Sequence, residues 1–136
     1  MASYYLNENG DGIRPELLES EAEKQAQKFS RLNTTQLRKF FNEVKALEKK
    51  LKDNNDSDEY FNKNLIPLIK MLKAKVSYSL ARQEKKDFQQ FKDFEEFLKR
   101  NIDNIKNKQD FKFFVLHFEA VIGYYYYYNK NLNKII

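Results

Sequence analysis

Apolar residues recur along this chain in steps of three and four. From Thr34 onward they fall at Leu37, Phe40, Phe41, Val44, Leu47 and Leu51. At about 100° per residue that spacing lines one face of a helix and does not fit a strand. Thr34 or Thr35 is the expected N-cap, since a hydroxyl accepts from the first free backbone amides. Leu65, Leu68, Ile69, Leu72, Val76 and Leu80 predict a second helix. Pro67 lies inside that pattern, so the helix either begins near Leu65 or begins near Asp58 and is kinked at the proline. The intervening DNNDSD, residues 53–58, reads as a turn with an acid or a serine capping the second helix. Phe88, Phe91, Phe94, Phe97, Leu98, Ile102 and Ile105 predict a helix from Asp87 to about Lys106. After a polar turn at residues 107–110, FKFFVLHFEAVIGYYYYY predicts a last helix reaching about Asn129. Apart from Lys112, His117 and Glu119 it is apolar nearly all round, which places it at the centre of the fold. The five consecutive tyrosines, Tyr124 to Tyr128, cannot share one face, so some bury and others reach the surface or a partner.

The front of the chain is sparser. From Ile13 to about Arg31 the composition is helical, with Pro15 suited to a first turn and Leu17, Leu18, Ala22 and Phe29 as the apolar face. Residues 1–12, which hold two of the three glycines, are expected to form a flexible arm, and the closing NKNLNKII a frayed tail. The pattern therefore predicts an all-α fold, a compact bundle of about five helices in a single domain over residues 13–136.

Composition sharpens this in two ways. With three Gly and two Pro among 136 residues, turns are scarce; twelve Phe and nine Tyr without a Trp imply an aromatic core. The absence of Cys excludes disulfides and thiolate metal sites and suits a reducing cytoplasm. No signal peptide is visible at the polar, acidic N-terminus. No apolar run reaches about 18 residues, so no membrane span is expected.

Charge changes the picture more. The formal net charge is +5, and its distribution is uneven. Residues 32–52 carry six bases and two acids, and residues 65–86 carry six bases and one acid, while the rest of the chain is close to balanced or acidic. In the first of these helices Arg38, Asn42, Lys45, Lys49 and Lys52 follow one line. In the second, Met71, Lys75, Tyr78 and Arg82 follow another. An Arg and a Lys flanking a Tyr can grip phosphates and offer a ring for stacking. A basic patch of this kind is the footprint of a nucleic-acid backbone binder. The plainer readings are a solvated face, core-edge residues with snorkelling cations, or a surface for an acidic protein.

Catalytic chemistry is not signalled. His117, the single histidine, sits mid-helix between Leu116 and Phe118 and reads as a satisfied histidine, not a ligand. The acids of residues 53–58 lack the spacing and the closing Glu of a calcium loop, and no phosphate-binding glycine loop or nucleophile elbow occurs. An enzyme is not expected, and neither a metal nor another cofactor is implied.

Three segments together resemble a known family: TTQLRKFFNEV at 34–44, IKMLKAKVSYSLAR at 69–82 and FKFFVLHFEAVIGYY at 111–125. They are similar to the small helical subunit of type III-A CRISPR effector complexes, the Csm complexes. The matching positions are Gln36, Leu37, Arg38 and Lys39; Leu72, Lys73, Lys75, Tyr78 and Arg82; and Glu119, Ala120 and Tyr124. The order of the segments agrees, and the resemblance covers about residues 30 to 128. It implies a non-catalytic subunit, several copies of which stack head to tail beside larger subunits, with a shared basic groove along the guide RNA–target RNA duplex. Its partners would be guide RNA, target RNA, other Csm subunits and copies of itself, in antiviral defence. Taken with the charge pattern, the residues expected to contact RNA are Arg38, Lys39, Lys45, Lys49, Lys75, Tyr78 and Arg82, with Arg38 and Arg82 foremost because guanidinium suits bidentate phosphate contact. The small subunit of the type III-B complex, or a helical module that binds an acidic protein, are the alternatives.

Overall fold

The structure is a computed structural model; it describes residue 4 and residues 12–135, with side chains through residue 130. Five helices and no strand are present among the described residues: α1 (Ser20–Lys28), α2 (Thr34–Asp53), α3 (Ile66–Ala81), α4 (Lys85–Asp103) and α5 (Lys108–Ile135). The all-α bundle expected from the periodicity is therefore what forms.

Local chemistry sets where each helix starts. Pro15 begins a short 3-10 turn, Pro15–Leu18, ahead of α1, because its fixed φ suits a first turn and its missing N–H costs nothing there. Asn33, not Thr34 or Thr35, caps α2: its side chain accepts from the amide of Gln36. The threonines are already helical. Asn and Thr are both competent caps, and the chain uses the one that leaves the Thr34 hydroxyl free to meet the Tyr125 hydroxyl at 3.0 Å. Ser57 caps the turn Asp58–Tyr60 by accepting from the Tyr60 amide. Before it, Asn55 and Asp56 take left-handed backbone conformations, which short polar side chains tolerate.

Pro67 leaves its mark as a widened turn. The backbone is helical from Asp58, runs through a π turn at Phe61–Leu65, and becomes regular α-helix at Ile66. A proline ring clashes with the carbonyl four residues back and supplies no N–H to it; a π turn opens the spiral where that conflict falls. The helix thus begins at Asp58 and absorbs the proline.

Two helix pairs and a bridging helix make the bundle. α5 packs along α1, α4 packs along α3, and α2 touches both α3 and α5. The pairs meet at Phe94, whose ring lies between 5.5 and 6.2 Å from those of Phe29, Phe40, Phe91, Phe97 and Phe118. These rings come from α2, α4, α5 and the C-terminal end of α1, so one aromatic cluster locks four helices. Edge-to-face and tilted pairs of this kind add to the burial of the rings. Leu37, Phe40, Val44, Leu47 and Leu51 of α2 are buried as the pattern predicted, and Phe41 packs its ring on Phe118.

α5 behaves as the apolar centre along its first half, with Phe111, Phe114, Val115, Phe118 and Val121 all fully buried. Its backbone remains helical through Ile135, past the expected end at Asn129. Up to residue 129 the helix is tied to the α1 end: Tyr128 Oη donates to Glu23 at 2.6 Å and Asn129 Nδ2 to the Ser30 carbonyl at 2.9 Å. The tyrosine run divides as its geometry requires. Tyr125 is fully buried and donates to the Leu32 carbonyl, while Tyr127 is 60% exposed. The flexible arm expected at residues 1–12 lies outside the described residues except for Tyr4 and Gly12. Tyr4 is buried, and its hydroxyl donates to Asn101 Oδ1 at 2.7 Å.

Candidate nucleic-acid interface

A surface groove follows the seam between α2 and α3. Four adjoining hollows make it up, sharing Lys75, Lys39, Tyr78 and Gln83 among their linings. The α2 wall is the line Gln36, Lys39, Glu43, Ala46 and Lys50, in helical steps of three, four, three and four. The α3 wall is Leu68, Met71, Lys75, Tyr78 and Arg82. Phe40, fully buried beneath, anchors α2 against the Phe91 and Phe94 rings of α4. Both walls stand on packed helices, so their side chains are held by a rigid scaffold.

Of the residues expected to bind RNA, Lys39, Lys75, Tyr78 and Arg82 come together here. Tyr78 is 63% exposed. Arg82 folds back over it, the guanidinium 5.6 Å from the ring centroid and Nη1 donating to the phenol at 2.9 Å. Neither Lys39 nor Arg82 forms an ion pair among the described residues. Lys75 lies 3.6 Å from Glu43, a loose pair that leaves the lysine side chain half exposed. Glu84 and Asp87 also line the Arg82 end, so the cations are offset by acids more there than in the rest of the groove. A flexible cation on each wall and an exposed ring between them suit phosphate contact and base stacking.

The remaining three lie elsewhere. Arg38 Nη1 donates to the Tyr126 hydroxyl at 3.1 Å. Lys45 bridges Glu119 at 2.6 Å and Glu48 at 2.7 Å. Those two residues tie α2 to α5, on the other flank of α2 from the groove. The hydrogen bonds to Glu119 and then Glu48 raise the Lys45 pKa above the usual lysine value. Lys49 pairs with Asp53 one turn along its own helix at 2.8 Å. The line that looked most basic in the sequence is thus largely paired within the fold.

Sequence reasoning missed Lys50, Gln36 and Gln83 as groove residues. The signal was present in α2: stepping by three and four from Lys39 reaches Lys50, a second line beside Phe40 that faces α3. Its lower cation count hid it behind the Arg38 line.

The buried His117 and Glu95 side chains have partners within the fold. Nδ1 of His117 donates to the Leu17 carbonyl at 2.6 Å, and burial holds its pKa below the ordinary histidine value. His117 is a satisfied core residue, as its position in the sequence suggested. Burial would raise the Glu95 carboxyl, but hydrogen bonds from Lys92, Ser77 and Lys99 bring it below the usual range. Among the described residues no group of His, Asp and Glu is arranged to hold a metal ion. Among them, too, no helix is long and apolar enough to cross a membrane.

Comparison with known proteins agrees with the residues that carried the resemblance. The family model Csm2 Type III-A matches residues 13–131. No curated protein and no solved structure matches the chain. The match spans nearly the whole bundle, and the chain belongs to the Csm2 type III-A family, the small subunit of type III-A CRISPR complexes.

Proposed function

We propose that this chain is a non-catalytic subunit that stacks in several copies along a type III-A ribonucleoprotein in antiviral defence. Between α2 and α3 it grips the backbone of guide and target RNA without reading sequence. One observation carries this reading: Lys39 and Arg82, cations with no acidic partner among the described residues, flank the exposed ring of Tyr78 in a groove built on two rigid helices.

Each residue has a chemical role. Arg82 exchanges its bond to the Tyr78 phenol for a phosphate, which its planar fork can meet with two hydrogen bonds. Lys39 and Lys75 approach as point charges from the two walls, Lys75 exchanging Glu43 for a phosphate. Tyr78, released by Arg82, offers a stacking face. Arg38, Lys45 and Lys49 add to the positive field, but none of them lines the groove beside the exposed Tyr78 ring, and so they rank below the groove set. Such contacts fix register on a nucleic acid and leave specificity to base pairing.

The test is a salt series of binding to a mixed-sequence single-stranded RNA and to a guide–target duplex, with wild type and Lys39→Ala plus Arg82→Ala. Wild type should bind without sequence preference. The double variant should bind more weakly, with a log–log salt slope about one to two units shallower. Unchanged binding in the variant, or none by wild type at low salt and high protein concentration, would refute the groove reading. Capture of an acidic protein in the second case would point to that class of partner instead.

A further inference from the structure

One member of the groove works against the others. Glu43 stands on the α2 wall between Lys39 and Lys50, and Lys75 meets it from the α3 wall. Glu43 and Lys75 line both hollows in the middle of the seam, the one that holds Tyr78 and the one that holds Met71. A carboxylate repels phosphates, so its place among the cations calls for a donor that the free chain does not supply.

Glu43 is poorly served before anything binds. Its Oε2 is buried and accepts no hydrogen bond among the described residues. Lys75 approaches it at 3.6 Å, near enough for charge attraction and too far for a hydrogen bond. A buried acceptor without a donor costs free energy. The Glu43 side chain is 31% exposed, and it lines the groove, so a ligand lying there can meet it.

Binding makes the need greater. When Lys75 leaves Glu43 for a phosphate, the carboxylate keeps its charge and loses its cation. A bound strand must then supply a donor or bear the repulsion. Phosphate oxygens only accept. Base N–H groups donate, but their position changes from base to base, and a grip blind to sequence cannot depend on them. The donor that every nucleotide of an RNA backbone carries in the same place is the 2′-hydroxyl, and DNA lacks it.

We propose that Glu43 makes the α2–α3 groove selective for RNA over DNA, its carboxylate accepting a hydrogen bond from a 2′-hydroxyl of the bound strand. This rests on the RNA-groove reading and deepens it. Lys39, Lys75 and Arg82 meet phosphates, which both nucleic acids share; Glu43 meets the group that tells them apart. With DNA in the groove the carboxylate stands unpaired beside phosphates. Glu43 thus acts by repelling the wrong strand as well as by bonding the right one.

The experiment is fluorescence anisotropy of the full chain at one low salt concentration. Its probes are single strands of the same mixed sequence: RNA, DNA with uracil in place of thymine, and 2′-fluoro RNA. The last keeps the sugar shape of RNA and has no 2′ donor. Wild type should bind RNA about tenfold more tightly than either of the others, as a hydrogen bond to a charged group would give. Glu43→Ala should bind DNA more tightly than wild type does and bring the affinities to within about twofold of one another. Lys39→Ala, which removes a phosphate contact, should weaken binding to every probe alike and leave the ratios unchanged. Glu43→Ala should melt near the wild-type temperature, since its ion pair to Lys75 is long and partly exposed. Equal binding of RNA and 2′-fluoro RNA by wild type overturns the proposal while the groove reading stands, and that outcome needs no variant to fold. An RNA preference unchanged in Glu43→Ala overturns it too. Failure of wild type to bind any strand sinks the groove reading and this inference with it.

Discussion

The two flanks of α2 carry cations to opposite ends. Toward α5, Arg38 and Lys45 meet Tyr126, Glu119 and Glu48. Toward α3, Lys39 meets no acid among the described residues, and Arg82 across the groove meets only a phenol that also belongs to the surface. Both flanks are basic in the sequence. Each flank has an arginine bonded to a phenol, but toward α5 Lys45 is held by two carboxylates, whereas toward α3 Lys39 meets none among the described residues and an exposed aromatic ring stands beside it. A cation already paired must give up that pair before it binds a ligand. An unpaired cation loses only water, so it delivers more of its charge to a phosphate.

The strongest way to break this comparison is to remove the frame that keeps the flanks apart. Phe94→Ala, at the meeting point of five other rings, should cost about 3–5 kcal/mol. Urea unfolding followed by circular dichroism would read it, and both flanks should come apart together. A loss below about 1 kcal/mol would mean that the helices are held without the cluster.

The next effect separates the flanks. Lys39→Ala plus Arg82→Ala should weaken RNA binding by at least about tenfold at low salt, because two cations no longer reach phosphates, while the melting temperature stays near wild type. Arg38→Ala plus Lys45→Ala should do less to RNA binding and more to stability. Parallel titrations of the two double variants against one RNA decide it, and equal losses would erase the distinction.

Smaller still is Lys45→Ala alone. Its ion pairs are partly exposed, so about 0.5 kcal/mol of stability is expected, fading with added salt. A thermal melt at low and high salt measures this. Glu119→Ala should give a similar change if the α2–α5 tie is what matters.

The last handle lies in the core. Burial lowers the His117 pKa in the folded chain, whereas the unfolded chain takes up a proton near pH 6.5. As pH falls below about 6.5 the unfolded state binds more protons, so stability falls; above it the histidine adds no slope. His117→Gln should flatten that part of the profile between about pH 6.5 and 5, in denaturant titrations at fixed temperature. A slope there unchanged by the substitution would assign it to carboxylates.

Much of this molecule was legible in its sequence. Helical spacing marked out the helices and most of their buried faces, and the scarcity of Gly and Pro left few turns between them. Pro67 announced a disturbance in the second basic helix. The α3 line of Met71, Lys75, Tyr78 and Arg82 emerged intact as one wall of the groove. Motif order reached the family that the family model then matched. These properties are local: period, propensity and residue order belong to the chain itself.

Tertiary structure decided what periodicity leaves open. How far the Arg38 line on α2 is compensated depends on Glu119, which lies far along the chain and reaches Lys45 only when α5 docks. Whether Asn33 or a threonine caps α2 depends on Thr34 meeting Tyr125 across the bundle. A sequence states which charges and shapes a helix face carries; only the packed bundle states which of them are already satisfied, because satisfaction is a relation between distant residues.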